Sequence, residues 1–377
     1  MAISIRPVVT KQDKLTFLKV PFAVFRDDPN WVAPLFLERM EHLDPKKNPY
    51  FKHADVQLFI AEKDGRPVGR ISAQSDRLRQ EHHKDGVGQF GFLDAIDDPQ
   101  VFAALFKAAE DWLRQRGHNK AQGPFTFSIN DETGLLVDGF DTPPNMMMGH
   151  ACRYYGPRVE QQGFAKVKDV LAYHYDDASD LPRALMQTLD KAMKSEDIVI
   201  RPLNKKNLKH DLATIIAIFN DAWSSNWGFV PFTSEEITKL GNDLKMLVTG
   251  EYIAIATYKG EAAAMAVTLP NLNDWINGLN GKLLPFGWLT LAGHLIRKNP
   301  TSVRMPLMGV LKKHHGTMVG SALTIGVIDA VRRYHMSRGA TSGELSWILE
   351  DNMPMRRIIE RLSGKAYKTY RVYEKAL

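Results

Sequence analysis

A short basic loop between an apolar segment and a helical segment carries the residues best suited to bind an anionic ligand. Two lysines and two histidines stand together at 312–315, and two glycines follow them. The first turn of a helix presents unpaired N–H groups and a partial positive charge, which suit a pyrophosphate. Glycine lets the backbone approach such a ligand closely. We therefore predict a phosphate-binding site formed by Met308, Gly309, Val310, Leu311, His315, Gly316, Thr317, Met318, Val319, Gly320 and Ser321.

This strand, loop and helix resemble the acyl-CoA pyrophosphate loop of the GNAT acyltransferase superfamily, which is usually written R/Q-x-x-G-x-G/A. His315 stands at the Arg/Gln position and Gly320 at the final Gly/Ala position. Met318 stands where the family has its first glycine, so the chain departs from the pattern there. The resemblance implies acyl-CoA as co-substrate.

A second block, residues 343–352 followed by a helical stretch and Gly364, is similar to the second CoA-binding block of GNAT proteins. By this resemblance, Asn352 caps the next helix and bonds the pantetheine arm; a bare Asn is more often a cap alone. The family often has a tyrosine one turn further on as general acid, and this chain has Ile359 there. The acid is then not needed, or it comes from another group such as Tyr367, Tyr370 or Tyr373, of which Tyr370 is our candidate.

The resemblance implies direct attack of a neutral amine on a thioester whose carbonyl is polarised by a backbone N–H of the 309–311 stretch. Glu344, on the adjacent predicted strand, is the candidate base. The alternative role for Glu344 is that of an edge-strand carboxylate in a salt bridge. His314 and His315 are alternative bases, and both suit equally a role as hydrogen-bond donors to phosphate.

Landmarks that recur in the same order at nearly the same spacing indicate a duplication. Ile5-Arg6-Pro7 recurs as Ile200-Arg201-Pro202, and Asn30-Trp31 recurs as Asn226-Trp227. Each copy is predicted to begin with a short strand, followed by two helices and an antiparallel strand pair around a glycine turn. The elements predicted to follow in the second copy are a strand at 303–311, a helix at 318–335, a strand at 342–349, a helix at 352–362 and a closing hairpin at 365–375.

The predicted fold class is α/β, with two tandem GNAT-like domains that each contain a mixed, mostly antiparallel sheet flanked by helices. We place a degenerate GNAT-like domain at 1–177, a linker at 178–196, and a GNAT-like domain with the acyl-CoA site at 197–377. The first copy passes from a strand at 87–95 through Asp97 and Asp98 into a helix. Because no glycine loop intervenes, we expect no CoA site in the first domain.

Two further segments are candidates for contact with the acceptor. The stretch 123–144 is rich in turn residues, and long loops of this kind are often functional. Its Asn130, Asp131 and Glu132 could hold a cationic amine or could only stabilise the turn. The insertion at 269–302 is apolar and aromatic with a basic edge, which suits a lid, a peripheral membrane contact or a cover over the junction between the halves. Trp227 and Trp288 complete the predicted substrate residues.

The composition is that of a globular protein. The 377 residues include 44% hydrophobic and 24% charged residues, and the net charge is +6. This mild basic excess suits an anionic ligand or a membrane surface and argues against nucleic acid as a partner. A single cysteine and no Cys/His cluster predict no metal and a reducing compartment. Without a signal-peptide pattern at the N-terminus, we predict a cytoplasmic protein that reaches the inner face of the membrane.

The chain as a whole resembles the tandem-GNAT group that includes bacterial ceramide synthases. The resemblance depends on the 123–144 loop, the apolar segment 281–291 and the ending at 367–375. It implies a long-chain acyl-CoA as donor and a lipid amine, such as a sphingoid base, as acceptor. Two alternatives are a Fem-like aminoacyl transferase, whose basic groove is not evident, and a non-catalytic binding protein, which the departures at Met318 and Ile359 favour.

Overall fold

A computed structural model describes residues 3–176, 197–297, 299–362 and 364–377, together with 183, 186, 187, 189, 190 and 193. The chain forms two compact units. The first comprises Met1–Leu171, Ile276–Gly287 and Lys368–Leu377, and the second comprises Ala172–Trp275 and Trp288–Tyr367. The linker expected at 178–196 lies outside the continuously described residues, and the predicted domain boundaries stay a prediction.

The first unit is built on a mostly antiparallel sheet. Its strands are β1 (Ile3–Pro7), β2 (Ala54–Lys63), β3 (Arg66–Asp76), β4 (Val87–Ala95), β5 (Lys120–Gly123) and β6 (Leu135–Asp138). The chain passes between the units within β7 (Ala165–Asp176) and β13 (Lys365–Ala376). Strands β1 to β4 pair antiparallel in order, β4 pairs parallel with β5, and β5 and β6 pair antiparallel with β13. The helices are α1 (Lys11–Val24), α2 (Phe36–His42), α3 (Arg77–His83), α4 (Pro99–Arg114) and α5 (Tyr155–Glu160).

The second unit repeats this order. Its strands are β8 (Ile198–Pro202), β9 (Ile253–Tyr258), β10 (Glu261–Pro270), β11 (Ser302–Val310) and β12 (Ser342–Leu349). Strands β8 to β11 pair antiparallel in order, and β11 pairs parallel with β12. The helices are α6 (Leu208–Trp223), α7 (Ser234–Leu247), α8 (Leu272–Ile276), α9 (Gly287–Arg297), α10 (Met318–Ser337) and α11 (Met353–Arg361). No helix of the described residues is long and apolar enough to span a bilayer.

The repeated Ile-Arg-Pro sequences occupy equivalent places in the two units. Each forms the first strand of its unit, antiparallel to the strand that follows. Arg6 in β1 bonds Asp13 in α1 at 2.6 Å, and Arg201 in β8 bonds Asp211 in α6 at 2.7 Å. The same arginine-to-helix contact in both units supports the duplication inferred from the sequence.

Small side chains let α10 pack closely on the sheet of the second unit. The buried cluster there contains four strand alanines (Ala254, Ala256, Ala264, Ala266), and Leu323, Val327 and Val331 of α10 pack on it. Because the alanines add little bulk, the helix axis can lie near the backbone of β9 and β10. This packing fixes the beginning of α10 at the end of β11.

Most elements that position the site were predicted from the sequence. The predicted strand at 342–349 has the bounds of β12, and the predicted helix at 318–335 matches α10 to within two residues at its end. The closing hairpin expected at 365–375 is wrong, because these residues form the single strand β13. The segment alternates buried and exposed side chains and contains no glycine, proline or asparagine that would favour a turn.

Candidate active site

Strands β11 and β12 diverge partway along their length. Their parallel pairing runs from Ser302 and Ser342 to Met305 and Leu345, whereas β11 continues to Val310. The residue after Met305 is a proline, which has no N–H to donate to a neighbouring strand. The two strands therefore leave a gap between the last five residues of β11 and the end of β12.

Side chains bind the carbonyl groups that β11 turns toward this gap. Nε1 of Trp223 donates to the Met308 carbonyl at 3.0 Å, and Nε2 of His315 donates to the Val310 carbonyl at 2.8 Å. The N–H of Leu311, in contrast, donates to β10 at 2.9 Å. Since successive peptide groups of a strand point to opposite sides, the N–H groups of Met308 and Val310 point away from β10 and into the gap.

The loop after β11 ends at the capped N-terminus of α10. The Thr317 hydroxyl accepts the N–H of Gly320 at 2.9 Å, and the Thr317 carbonyl accepts the N–H of Ser321 at 3.1 Å. The N–H groups of Met318 and Val319 precede these bonds, so they belong to the helix-terminal donors that an anion can use. The side chain of Met318 is 71% exposed. Its bulk therefore extends into solvent at the position where the family has glycine.

The structure explains the glycine at 316 and the glycine at 320 in different ways. Gly316 has a φ of +71°, a conformation that favours glycine, and a Cβ there would meet no atom within 4 Å. A Cβ at Gly320 would overlap the carbonyl oxygen of His314. Gly320 thus makes room for the backbone of its own loop, whereas we had expected it to make room for a ligand.

The four basic side chains of the loop differ in their contacts. Nζ of Lys312 donates to Ser224 and Nζ of Lys313 to Glu261, each at 2.7 Å. Burial, together with the charge of Lys313, lowers the pKa of His314. The His314 ring is therefore neutral at neutral pH. Both lysines are exposed, so their charge remains available to a ligand at the loop.

Glu344 lies in a buried polar network. It is directly opposite Arg304 in the β11–β12 register, and the Arg304 Nε is 3.5 Å from its Oε1. Neither side chain is more than 2% exposed. The Ser346 hydroxyl donates to the same oxygen at 2.5 Å, and the Tyr367 hydroxyl donates to Oε2 through a short hydrogen bond. Glu344 therefore forms the kind of salt bridge that was its alternative role. It also accepts a hydrogen bond from the half-buried phenol of Tyr367.

Of the three tyrosines considered as acids, Tyr367 is the one that bonds Glu344. Tyr370, our candidate from the sequence, lies in the first unit with a fully buried ring. Tyr373 also lies in the first unit, where it donates to Glu160 at 3.1 Å, and burial raises its pKa to about 12. The geometry of the second unit therefore favours Tyr367 as the group that exchanges a proton.

The beginning of α11 has the predicted capping residue. The side-chain oxygen of Asn352 accepts the N–H of Met355 at 3.3 Å. Ile359, at the position of the family's tyrosine, is fully buried. A Cβ at Gly364 would meet the Ile359 side chain, which explains the glycine after this helix.

An apolar cavity lies beside the paired portion of β11 and β12. It has a volume of about 70 Å³ and is partly open to solvent. Strands β10 to β12 contribute to its wall together with α10 and α11. Most lining side chains are aliphatic, and the lining residues include Val303, Met305, Ile328, Met336, Gly343 and Ile359.

In the first unit, the chain itself fills the equivalent gap. The parallel pairing of β4 with β5 ends at Gln89 and Gln122. Beyond it, the N–H of Phe125 donates to the Phe90 carbonyl at 2.8 Å, and a Cβ at Gly91 would overlap the backbone of Phe125. The segment after β5 therefore occupies the space in which the second unit has a gap.

The helix after β4 begins on a carboxylate. The side chain of Asp98 caps α4 by accepting the N–H of Gln100 at 2.9 Å, and it pairs with Lys63 at 2.6 Å. The hydrogen bond from Lys63 lowers the pKa of Asp98. A negative charge at this helix N-terminus repels phosphate. That the first half lacks a CoA site stays a prediction.

Three of the predicted substrate residues lie in the first unit and two lie in the second. Glu132 pairs with Arg39 through a short contact; burial would raise the pKa of Glu132, but Arg39 outweighs it and holds the pKa below its usual range. The backbone N–H groups of Asn130 and Asp131 bond Ser128 within a turn of the first unit. In the second unit, Trp227 is half-buried after α6, and Trp288 is 49% exposed on α9.

Two residues of the site were missed in the sequence. Trp223 follows an apolar helix pattern and carries no motif that marks it as a partner of β11. Arg304 lies within an apolar strand, and a charged residue in a predicted buried strand is a signal of a partner or a site. Arg304 could therefore have been singled out from the sequence.

The chain is similar along its whole length to two named bacterial proteins. It is 47% identical over 376 residues to the bacterial ceramide synthase of Caulobacter vibrioides (strain NA1000 / CB15N), covering 100% of this chain and 98% of the relative. It is 42% identical over 375 residues to protein YghO of Escherichia coli (strain K12), covering 99% of this chain and 95% of that protein. No protein-family model matches the chain.

Solved structures share the fold at low sequence identity. A tandem GNAT protein from the clavulanic acid biosynthesis pathway superposes with a TM-score of 0.58 at 12% identity, covering 100% of this chain and 98% of that chain. A GCN5-related N-acetyltransferase from Sphaerobacter thermophilus superposes with a TM-score of 0.57 at 13% identity, covering 99% and 95%. The mixed α/β fold with its mostly antiparallel sheet is that of a tandem GNAT protein.

The chain thus has the fold of a tandem GNAT protein. Because the chain is 47% identical to the bacterial ceramide synthase over 376 residues, it belongs to the family of that protein.

Proposed function

We propose that the protein transfers an acyl group from acyl-CoA to an amine and that the second unit binds the acyl-CoA. The observation that carries this proposal is the gap between β11 and β12. The N–H groups of Met308 and Val310 face into it, and it leads to the exposed basic loop and the N-terminus of α10. The filled gap and the capping Asp98 of the first unit support a single acyl-CoA site per chain.

The residues of the second unit fit the chemistry of acyl-CoA. The phosphates require positive potential and free N–H donors, which Lys312, Lys313 and the first turn of α10 offer. The pantetheine arm requires peptide groups along an extended surface, which β11 offers from Met308 to Val310. When bound, acyl-CoA supplies the activated acyl group. An N–H of Met308 or Val310 can orient and polarise the carbonyl that is attacked.

Proton transfer is best assigned to the pair of Tyr367 and Glu344. Glu344 is buried, and both of its carboxylate oxygens already accept hydrogen bonds. Tyr367 is half-buried and donates to Glu344 Oε2. Tyr367 Oη is therefore the atom that exchanges a proton with substrate, while Glu344 holds the phenol in position and Arg304 balances the charge of Glu344. This assignment replaces direct base catalysis by Glu344 and a proton donor at Tyr370.

A lipid amine is the acceptor that we propose, because the Caulobacter relative is named a ceramide synthase and a ceramide is an N-acylated lipid amine. The apolar surface of α9 supports this acceptor class. Trp288, Leu289 and Ile296 are 49%, 50% and 82% exposed, and Arg297 follows them. His294, also on α9, stacks on the buried Trp275 at 5.2 Å and attaches the helix to the second unit. We propose that α9 contacts the membrane surface from which such an amine is taken.

The test combines release of free CoA with detection of the product. Purified protein is incubated with acetyl-CoA, decanoyl-CoA or palmitoyl-CoA and either sphinganine or a short amine. Thiol release that depends on the amine, together with the N-acylated product by mass spectrometry, is the expected result. Binding of acyl-CoA without turnover of any amine would support the non-catalytic alternative, and absence of binding would refute the proposal.

A further inference from the structure

The cavity of the second unit begins where the gap between β11 and β12 ends. Its wall includes Val303 and Met305 of β11 and residues 342–345 of β12, which are the paired portions of the two strands. The gap runs in the other direction, from Met305 to Val310, over about 17 Å at a rise of about 3.3 Å per residue. A ligand with its phosphates at the start of α10 and its arm in the gap would direct its far end at the cavity.

The wall of the cavity suits an alkyl chain. Polar side chains that line it bond protein groups instead. Thr268 donates to the Tyr252 carbonyl at 2.6 Å and contacts Nε2 of His335 at 2.7 Å. Arg332 donates to Asp329 at 3.3 Å. The surface that the cavity exposes is almost entirely apolar, and such surface favours burial of methylene groups.

We propose that this cavity holds the aliphatic chain of the acyl donor. The inference rests on the proposed acyl-CoA site and adds the place that selects the length of the acyl chain. Two lining residues suit a cavity for an acyl chain. Ile359, where the family has tyrosine, gives the wall an apolar side chain, and Gly343 leaves the space beside β12 empty.

The position of the cavity favours the donor chain over the tail of the acceptor. The carbonyl carbon of the donor has to lie where the N–H groups of Met308 and Val310 can reach its oxygen. The acyl chain continues from that carbon away from the phosphates, in the direction of Met305 and the cavity. The tail of an acceptor is attached to the amine and not to this carbon, so the position of the carbonyl does not direct the tail toward the cavity.

Gly343 allows the cavity to be filled without disturbing the strand. A Cβ at Gly343 would meet only Val303, at 3.8 Å and beyond, which is an ordinary contact. Gly343 and Val303 are paired in register, so a side chain at 343 lies on the same face as Val303, which lines the cavity. Gly343→Leu should therefore make the cavity shorter, and Met336→Ala should make it larger.

The experiment measures dissociation constants for acetyl-, hexanoyl- and decanoyl-CoA below their micelle concentrations, by calorimetry. Each buried methylene strengthens binding by about fourfold. In the wild type we expect affinity to rise with chain length. In Gly343→Leu the gain from hexanoyl- to decanoyl-CoA should fall at least tenfold while the affinity for acetyl-CoA is retained, and Met336→Ala should retain the gain or extend it.

The matched control is Gly293→Leu on α9, where a Cβ would meet no atom within 4 Å. It should bind all three thioesters as the wild type does. Chain-length dependence that is unchanged in Gly343→Leu would overturn the cavity assignment and leave the acyl-CoA site standing. Unchanged donor binding with a shifted preference for the length of the amine would assign the cavity to the acceptor and also overturn it. Absence of binding by free CoA and all three thioesters in the wild type would refute the proposed function itself.

Discussion

Nε2 of His315 donates a hydrogen bond to the carbonyl oxygen of Val310 at 2.8 Å. A carbonyl can only accept, so Nε2 of His315 carries a proton. The bond replaces one that a neighbouring strand would make, and it ties the basic loop to the strand whose N–H groups face the gap. His315 is therefore better described as a positioning residue than as a base.

Replacing His315 tests this role. His315→Ala should weaken acyl-CoA binding by about tenfold, because the peptide at Val310 loses its fixed orientation, and should lower the free energy of unfolding by about 1 kcal/mol. His315→Gln can still donate to the carbonyl and should restore most of the affinity. Calorimetric titration with acetyl-CoA and denaturant unfolding measure the two effects. Equal affinity of the wild type and His315→Ala would contradict the role.

Tyr367→Phe tests the proton-transfer pair. Removing the hydroxyl should lower kcat by about 100-fold or more with little change in the dissociation constant of acyl-CoA, because the phenol acts on the proton and not on the phosphates. Initial rates and calorimetry separate the two quantities. Tyr370→Phe, which removes a hydroxyl in the first unit, is the matched control and should keep near wild-type activity. A reversed result would return Tyr370 to the role that the sequence suggested.

Gly316→Ala tests whether the shape of the basic loop matters to the ligand. The φ of +71° makes alanine unfavourable there by about 1 kcal/mol. Gly260 has a φ of +81° in the β9–β10 turn and, like Gly316, has no atom within 4 Å of a Cβ. Gly260→Ala should cost the same stability but leave acetyl-CoA binding unchanged, whereas Gly316→Ala should weaken binding severalfold. Equal binding by both variants would remove the loop from the site.

The surface of α9 leads to a prediction about membranes. Ile296→Ser should weaken binding to anionic phospholipid vesicles, measured by co-sedimentation, by about 30-fold, since burying an isoleucine side chain contributes about 2 kcal/mol. Met246→Ser is the control, because Met246 is 70% exposed on α7, away from the α9 sequence. An equal loss in both variants, or no binding of the wild type to vesicles, would contradict a membrane contact through α9.

The sequence predicted those elements of the candidate site that consecutive residues form. The strand, basic loop and helix at 308–321 could be found because spacing along the chain determines their geometry. The bond between Tyr367 and Glu344 could not be found in this way, since it joins two strands whose register is not written in either segment. Likewise, the gap exists because the pairing of β11 with β12 ends at Met305, and the sequence of neither strand shows where that pairing ends.

Buried His335 predicts a loss of stability in acid. Its Nε2 bonds Thr268 at 2.7 Å, and burial lowers its pKa from 6.5 to about 4. As pH falls below 6.5, the unfolded chain takes up a proton at this residue and the folded chain does not, so stability is complete above pH 6.5 and is lost down to about pH 4. The loss amounts to about 3 kcal/mol.

His335→Gln isolates this contribution, because glutamine can still donate to Thr268 but does not titrate. The difference in unfolding free energy between the wild type and His335→Gln, measured in urea at several pH values, should change by about 3 kcal/mol between pH 7 and pH 4, in favour of the variant in acid. His210→Gln, which replaces an exposed histidine, should track the wild type over the same range. If His335→Gln loses stability in acid as steeply as the wild type, the imidazole takes up its proton at the same pH in the folded and unfolded chains, which would contradict a pKa lowered by burial.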